Sequence, residues 1–303
     1  MFLQSVGLLI IRLDGSPTYA MLTSSLPAII NIILDYVFLF VLHKGLEGVA
    51  IATCIGFWTG GAMVLFYILF LSKSMKLYRL KWSLKSLMLF ARNIWYQFKL
   101  GFSAFLGECS ISVLMFIGNY VFMRYLGEDG VAAFSIACYI MPFIFMTGNA
   151  ISQSAQPIIS YNYGAGRAAR VKEARKVALT AAIGAGIILS MALAFGSKYV
   201  TALFLSADAQ AYRIASAGIP LMASGFVFYV VNVTIIGYFQ SIERVRPATV
   251  FSLARGFVFL IPAFLLMPHV AGIPGIWLAL PVSEALTFLL ITLSRYRRKY
   301  KRR

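Results

Sequence analysis

Asn31-Ile-Ile-Leu-Asp35 lies in the middle of an apolar segment spanning about residues 19–42, and Thr53 lies inside the next apolar segment. On a helix, Asn31 and Asp35 stand one turn apart on the same face. A carboxylate at bilayer depth costs roughly 2.5–3.5 kcal/mol on insertion scales, so a chain that keeps one there has a use for it. Two readings are open. The pair is a polar clamp between helices, or it is a cation site that the surrounding helices expose to one side of a membrane at a time. Both make the segment a membrane span.

The rest of the composition agrees. Of 303 residues, 60% are hydrophobic and 12% charged, which excludes an ordinary soluble domain and describes an all-α polytopic membrane protein. The apolar runs are long, unlike the alternating segments of about ten residues in an outer-membrane barrel. Cys54, Cys109 and Cys138 sit inside apolar runs without paired spacing and read as small core residues. Met1 leads directly into apolar sequence with no basic stretch or cleavage site, so no cleavable signal peptide is expected.

Residues 2–11 form an apolar stub, too short for a hydrocarbon core that needs about 20 helical residues. Eight complete transmembrane helices are predicted after it, at 19–42, 48–71, 100–125, 131–159, 177–205, 215–239, 248–267 and 276–294. The loops between them alternate in charge. Arg12, the linker with Lys73, Lys76, Arg79, Lys81, Lys85, Arg92 and Lys99, and the loop with Arg167, Arg170, Lys172, Arg175 and Lys176 fall on one side. Arg244, Arg246 and the tail Arg295-Tyr-Arg-Arg-Lys-Tyr-Lys-Arg-Arg303 join them. The opposite loops carry only Lys44, Arg124, Lys198 and Arg213. By the positive-inside rule the basic loops and the C-terminus are cytoplasmic, in a plasma (inner) membrane. The net charge of +17 is then a signal to membrane lipids, and nucleic acid is not an expected partner.

Residues 72–97 mix aromatic and aliphatic side chains with lysines and arginines, the pattern of an amphipathic helix on the inner leaflet. A weak repeat makes this linker a lobe boundary. Pro17 and Pro247 open spans after basic turns, and Gly45-Leu-Glu-Gly-Val-Ala-Ile-Ala52 parallels Gly272-Ile-Pro-Gly-Ile-Trp-Leu-Ala279. The repeat unit is six helices, related by an axis along the membrane normal. Residues 98–303 then form a whole six-helix lobe with a basic tail, and 1–71 the end of another. By this logic the chain is expected to lack most of four N-terminal helices.

Several motifs have plainer readings than their patterns suggest. Gly164-x-Gly166-x-x-Ala169 imitates a dinucleotide fingerprint but follows a membrane helix where a strand is required. Gly56-x-x-x-Gly60 permits close helix packing. Pro27, Pro142, Pro220, Pro262 and Pro281 lie inside spans and allow kinks, static or hinging. His43 and His269 lack metal-ligand spacing, and no nucleophile elbow or HExxH motif is present, so an enzyme is not expected. Three acids lie within spans: Asp35, Glu108 and Glu284. Arg255, the one basic residue well inside a span, lies at a depth similar to Glu284 on a neighbouring helix, so the two read as a structural ion pair. Glu108 has no evident partner, which makes it a functional candidate.

Arg12-Leu-Asp-Gly-Ser-Pro17 with Ala20-Met21, the Asn31/Asp35 helix, Gly48-Val-Ala-Ile-Ala-Thr53 and Gln156-Pro-Ile-Ile-Ser-Tyr-Asn-Tyr-Gly-Ala165 resemble the multidrug and toxic compound extrusion (MATE) transporters. The bacterial MepA-like branch is the nearest in pattern. The resemblance covers the whole chain. It implies the C-terminal part of a twelve-helix, two-lobe fold, and antiport of organic cations or drugs against Na⁺ or H⁺, with no other cofactor. It also implies a cation site in which Asn31, Asp35 and Thr53 match three of four ligands; the fourth belongs to a first-lobe helix absent from this sequence. Glu108 matches a membrane-embedded acid implicated in coupling or substrate binding. A missing N-terminal lobe becomes an implied partner. The alternatives are a lipid-linked oligosaccharide flippase of the same superfold, which calls for several basic residues facing the cavity, and a non-transporting membrane fragment.

Overall fold

The computed structural model describes residues 2–72 and 83–300, with side chains as far as Ser294. Linker residues 73–82 and the side chains of the basic tail lie outside the described residues. The chain divides into two compact units, Met1–Ser86 and Leu87–Arg303.

The first unit is a three-helix cluster of α1 (Phe2–Leu13), α2 (Pro17–Tyr36) and α3 (Gly45–Phe66). The apolar stub is α1, and small residues let it approach closely: Gly7 lies against Val64. Ile11, Ala20, Val64 and Tyr67 make the buried core. The Tyr67 hydroxyl donates to Asp14 Oδ2 at 2.8 Å and lies 2.7 Å from the Ser16 hydroxyl, tying the turn before α2 to the end of α3. The Gly56/Gly60 pair serves two neighbours at once. Gly56 faces Asn31 and Pro27 of α2, whereas Gly60 faces Gln4 of α1.

The second unit holds α4 (Leu84–Gly164), α5 (Ala168–Ala202), α6 (Gln210–Ala223), α7 (Phe226–Ser241), α8 (Val245–Leu253) and α9 (Leu260–Tyr300). As one straight rod α4 would be about 120 Å long. It folds back instead. Gly127 has φ 64° and ψ −153°, a conformation open essentially to glycine alone. Beyond it Phe134 returns to stack on Phe122, with ring centroids 4.5 Å apart. Gly272 reverses α9 in the same way, with φ 62° and ψ −142°. By length and apolarity five described helices can cross a membrane, or six if the bent α6–α7 pair is one span. The expected number was eight. The difference lies at these two glycines, where four expected spans are run together into two helices.

Two sets of turns recur along the chain. Three hairpins carry a Gly-x-x-Gly in which the first glycine is left-handed: Gly45 (φ 56°), Gly127 (φ 64°) and Gly272 (φ 62°). The second glycine of each, Gly48, Gly130 and Gly275, lies against the preceding helix where a Cβ would collide. The turns of the basic loops are different. Each has a left-handed residue (Gly15, Gly166 or Glu243) followed by a backbone N–H that reaches back five residues. Those bonds are Ser16 to Ile11 at 3.2 Å, Arg167 to Asn162 at 2.9 Å and Arg244 to Phe239 at 2.9 Å, the pattern of a Schellman cap.

Two further expectations shift. The described second half of the 72–97 linker is not a separate interfacial helix. Nothing between residues 84 and 126 breaks the backbone, so it forms the opening turns of α4. The kink expected from Pro220 falls at Ser224 and Gly225, where α6 and α7 meet at 48°. Pro220 cannot donate to the Ser216 carbonyl, and the Ser197 hydroxyl of α5 donates to it at 3.1 Å. Gly225 in turn packs directly on Pro281.

Candidate cation and coupling sites

Asn31 and Asp35 project from α2 towards α3. The antiparallel register is set by Gly56 against Asn31 and Gly48 against Phe38, which brings Asp35 level with Ile51 and Ala52. Asn31 Nδ2 and Asp35 Oδ1 are enclosed, and neither has a hydrogen-bond partner among the described residues. Leaving a buried polar atom unpaired costs about 1–3 kcal/mol, more for a charged group. Such atoms, one turn apart, make Asn31 and Asp35 candidate ligands. Thr53 stands apart from these enclosed atoms. It is exposed, and its hydroxyl donates to its own helix at Val49 O, 2.9 Å away. The structure brings Asn31 and Asp35 onto one face but leaves Thr53 outside that pair, with its donor already used.

In the second unit Arg255 and Glu284 meet in the interior. Arg255 Nε donates to Glu284 Oε1 at 2.7 Å, and the side chains are 4% and 2% exposed. Asn232 of α7 donates to Glu284 twice, to Oε2 at 2.8 Å and to the backbone carbonyl at 2.9 Å. The guanidinium carbon lies 4.0 Å from the centroid of the Tyr229 ring. A cation in an apolar bundle is tolerable when a carboxylate and an aromatic face share its charge. Asn232 and Tyr229 are the members that reading the sequence missed. Their signal was available, since Asn232 is a lone amide in Val-Val-Asn-Val with a tyrosine one turn earlier.

Arg255 sits in a π turn, Ala254–Val258, in which the Phe259 N–H reaches back to Ala254 O at 2.9 Å. Glu108 is exposed on the first arm of α4, outside the buried cluster. A second polar chain crosses the unit. Gln240 donates to the Ser103 hydroxyl at 3.0 Å, and the Ser252 hydroxyl donates to the Ser103 carbonyl at 3.0 Å.

A bundle of apolar helices reversing at left-handed glycines, with carboxylates held inside its helix layers, defines an all-helical multi-pass membrane protein. The family model MatE matches residues 104–265, more than half of the sequence, and the chain belongs to that family of transporters. The Multidrug export protein MepA of Staphylococcus haemolyticus is 25% identical over 280 residues, covering 92% of this chain and 60% of that protein. The FAD transporter of Shewanella oneidensis is 26% identical over 285 residues, 91% of this chain and 60% of its own length. A solved multidrug resistance MATE family transporter of the MOP superfamily, in an outward-facing conformation, superposes with a TM-score of 0.85 at 20% identity. That match covers 97% of this chain and 65% of the other. The chain thus spans about 60% of the length of the curated relatives it matches.

Proposed function

We propose that this chain works within a two-lobe antiporter that exports organic cations or drugs in exchange for Na⁺ or H⁺ across the plasma (inner) membrane. The observation that carries the proposal is the pair of enclosed, unpartnered atoms, Asn31 Nδ2 and Asp35 Oδ1, on the helix face turned towards α3. Asp35 supplies the coupling charge and Asn31 a neutral oxygen, its amide turned to present Oδ1 to the ion. Thr53 gives its proton to Val49 and keeps its oxygen lone pairs for the ion, but it is exposed and outside the enclosed pair, so its part is secondary. Drug and ion each favour one facing state, and alternating access converts that preference into exchange. Glu108, exposed on α4, serves coupling or substrate in the second lobe, and the Arg255–Glu284 pair holds that lobe together. The functional unit is the full two-lobe length of the relatives, with the first lobe completed by helices outside this sequence.

The same fold serves a flippase of lipid-linked oligosaccharides, which needs several cations facing its cavity. Arg255 is instead engaged by Glu284. Drug efflux against an imposed Na⁺ or proton gradient, by a version completed to the length of its relatives, tests the proposal. Asp35→Asn keeps the shape and removes the charge, so gradient-driven efflux should vanish with expression intact. Thr53→Ala should lower ion dependence only partly. Wild-type efflux by Asp35→Asn makes Asp35 a structural clamp; absence of efflux by the completed, well-expressed parent favours the non-transporting reading.

A further inference from the structure

We propose that a cavity at the basic-loop ends of α4, α5, α7 and α8 binds the phosphate headgroup of an anionic phospholipid, independently of the antiport reading. The cavity has a volume of about 530 Å³ and lies wholly within the second unit. Lys172 and Arg175 of α5 and Arg244 at the start of α8 line it, and among the described residues no carboxylate does. Lys172 and Arg175 are three residues apart and so share one helix face. Arg175 is held over the Tyr238 ring, 5.3 Å from its centroid. None of the three cations is ion-paired among the described residues. Glu243, next to Arg244, accepts a hydrogen bond from Tyr96 at 2.6 Å. Glu173 lines a different cavity, beside Arg170.

The helix ends sharpen the case. Both α5 and α8 begin at this cavity and bring a positive partial charge to it, although the Ala168 and Val245 N–H groups already bond Gly166 and Glu243 and Pro247 has none. Neither end has a side-chain cap or an acid in its first turn. Arginines stand at the two cap positions, Arg167 and Arg244, where a carboxylate or hydroxyl is the usual choice. Two uncapped positive ends and three unpaired cations around one space are mutually repulsive when it is empty of anions. A phosphate resolves this repulsion by accepting from the Lys172, Arg175 and Arg244 side chains and meeting the positive helix ends.

The walls point to a lipid as the source of that phosphate. Val171, Phe239 and Phe251 are buried on the cavity floor, which suits a phosphodiester carrying glycerol and acyl chains. The site also lies where membrane-spanning helices meet their basic loops, the level of the headgroups. Basic pockets between helices on that side of a membrane bind anionic headgroups.

The purified full chain in non-ionic detergent, given equal amounts of phosphatidylglycerol and phosphatidylcholine, provides the test through native mass spectrometry of retained lipid. Wild type should retain phosphatidylglycerol at least tenfold over phosphatidylcholine. Lys172→Gln/Arg175→Gln/Arg244→Gln should lose that preference. Arg170→Gln/Lys176→Gln/Arg246→Gln removes the same charge outside the cavity lining and should keep it. Ala168→Trp leaves every charge in place and fills the mouth, so its loss of lipid decides the matter if the triple variant unfolds. Equal loss in both triple variants, or no preference in wild type, overturns the proposal. Displacement of the lipid by 10 mM inorganic phosphate overturns the lipid assignment in favour of a free phosphate anion.

Discussion

Removing one partner of the Arg255–Glu284 pair is the sharpest perturbation the second unit offers. At an effective dielectric of about 20, charges about 4 Å apart attract by about 4 kcal/mol. The contact is 2.7 Å between atoms of side chains 4% and 2% exposed, so little solvent relieves a widowed charge. Breaking such a pair typically costs about 3–5 kcal/mol. The two single changes should differ. Arg255→Met leaves a carboxyl that can take up a proton and that Asn232 still contacts, so its cost should fall near the lower limit. Glu284→Met leaves a guanidinium that cannot shed its proton, and it strips the Asn232 amide of one acceptor, so its cost should fall near the upper limit. The double change replaces both charges with apolar bulk and should cost less than Glu284→Met alone, with a coupling of at least about 2 kcal/mol. Denaturant unfolding of the four proteins in one detergent measures this. If the double change equals the sum of the singles within about 0.5 kcal/mol, the pair does not hold the two helices together.

Alanine at Gly127 or Gly272 should destabilise by about 1–3 kcal/mol, because both φ values disfavour a Cβ; Gly101→Ala, in open space on a regular helix, should be neutral or mildly stabilising by thermal unfolding. The hydrogen bond to Glu243 holds the Tyr96 phenol above its ordinary value of 10.0, with burial adding to the effect. Its stabilisation is therefore present below that ordinary value and lost as pH rises through the raised one, and Tyr96→Phe should remove the extra loss of stability above pH 10; identical slopes for the two proteins above that pH would refute the tether. A cysteine placed in the 203–209 connection between α5 and α6 should react with an impermeant reagent in intact cells, and labelling at 167–176 instead would invert the topology.

Apolar run length made the helical, membrane-spanning character legible, and turn residues made most reversals legible. Gly45 and Gly272 were paired in the sequence by their Gly-x-x-Gly setting. The third example, Gly127 with Gly130, carries the same Gly-x-x-Gly spacing and was overlooked. Depth along a span was readable for Arg255 and Glu284, since helix rise is constant and charge is rare in such segments. Azimuth was harder. Whether Thr53 faces Asp35 depends on the rotation of α3 about its own axis; the four-residue spacing that includes Gly48, Gly56 and Gly60 announced a close-packed face, but not which neighbour each glycine would meet. Asn232 was visible as a lone amide, but its direction was not: on a helix buried almost all round, no apolar stripe singles out one face.

The extra residue between Ala254 and Phe259 is a correction of phase. In a regular helix, Phe264 would point about 180° away from Arg255, and Leu260 about 140° away. One added residue reduces those angles to about 80° and 40°, and brings Ala263 to within about 20°. Arg255, Leu260, Ala263 and Phe264 are all buried, so a single helix presents a charge to Glu284 and an apolar row to the core on one side. A substitution within Ala254–Val258 alters one side chain, but a one-residue deletion swings the whole following arm by about 100°. The segment is therefore constrained in length more tightly than in composition.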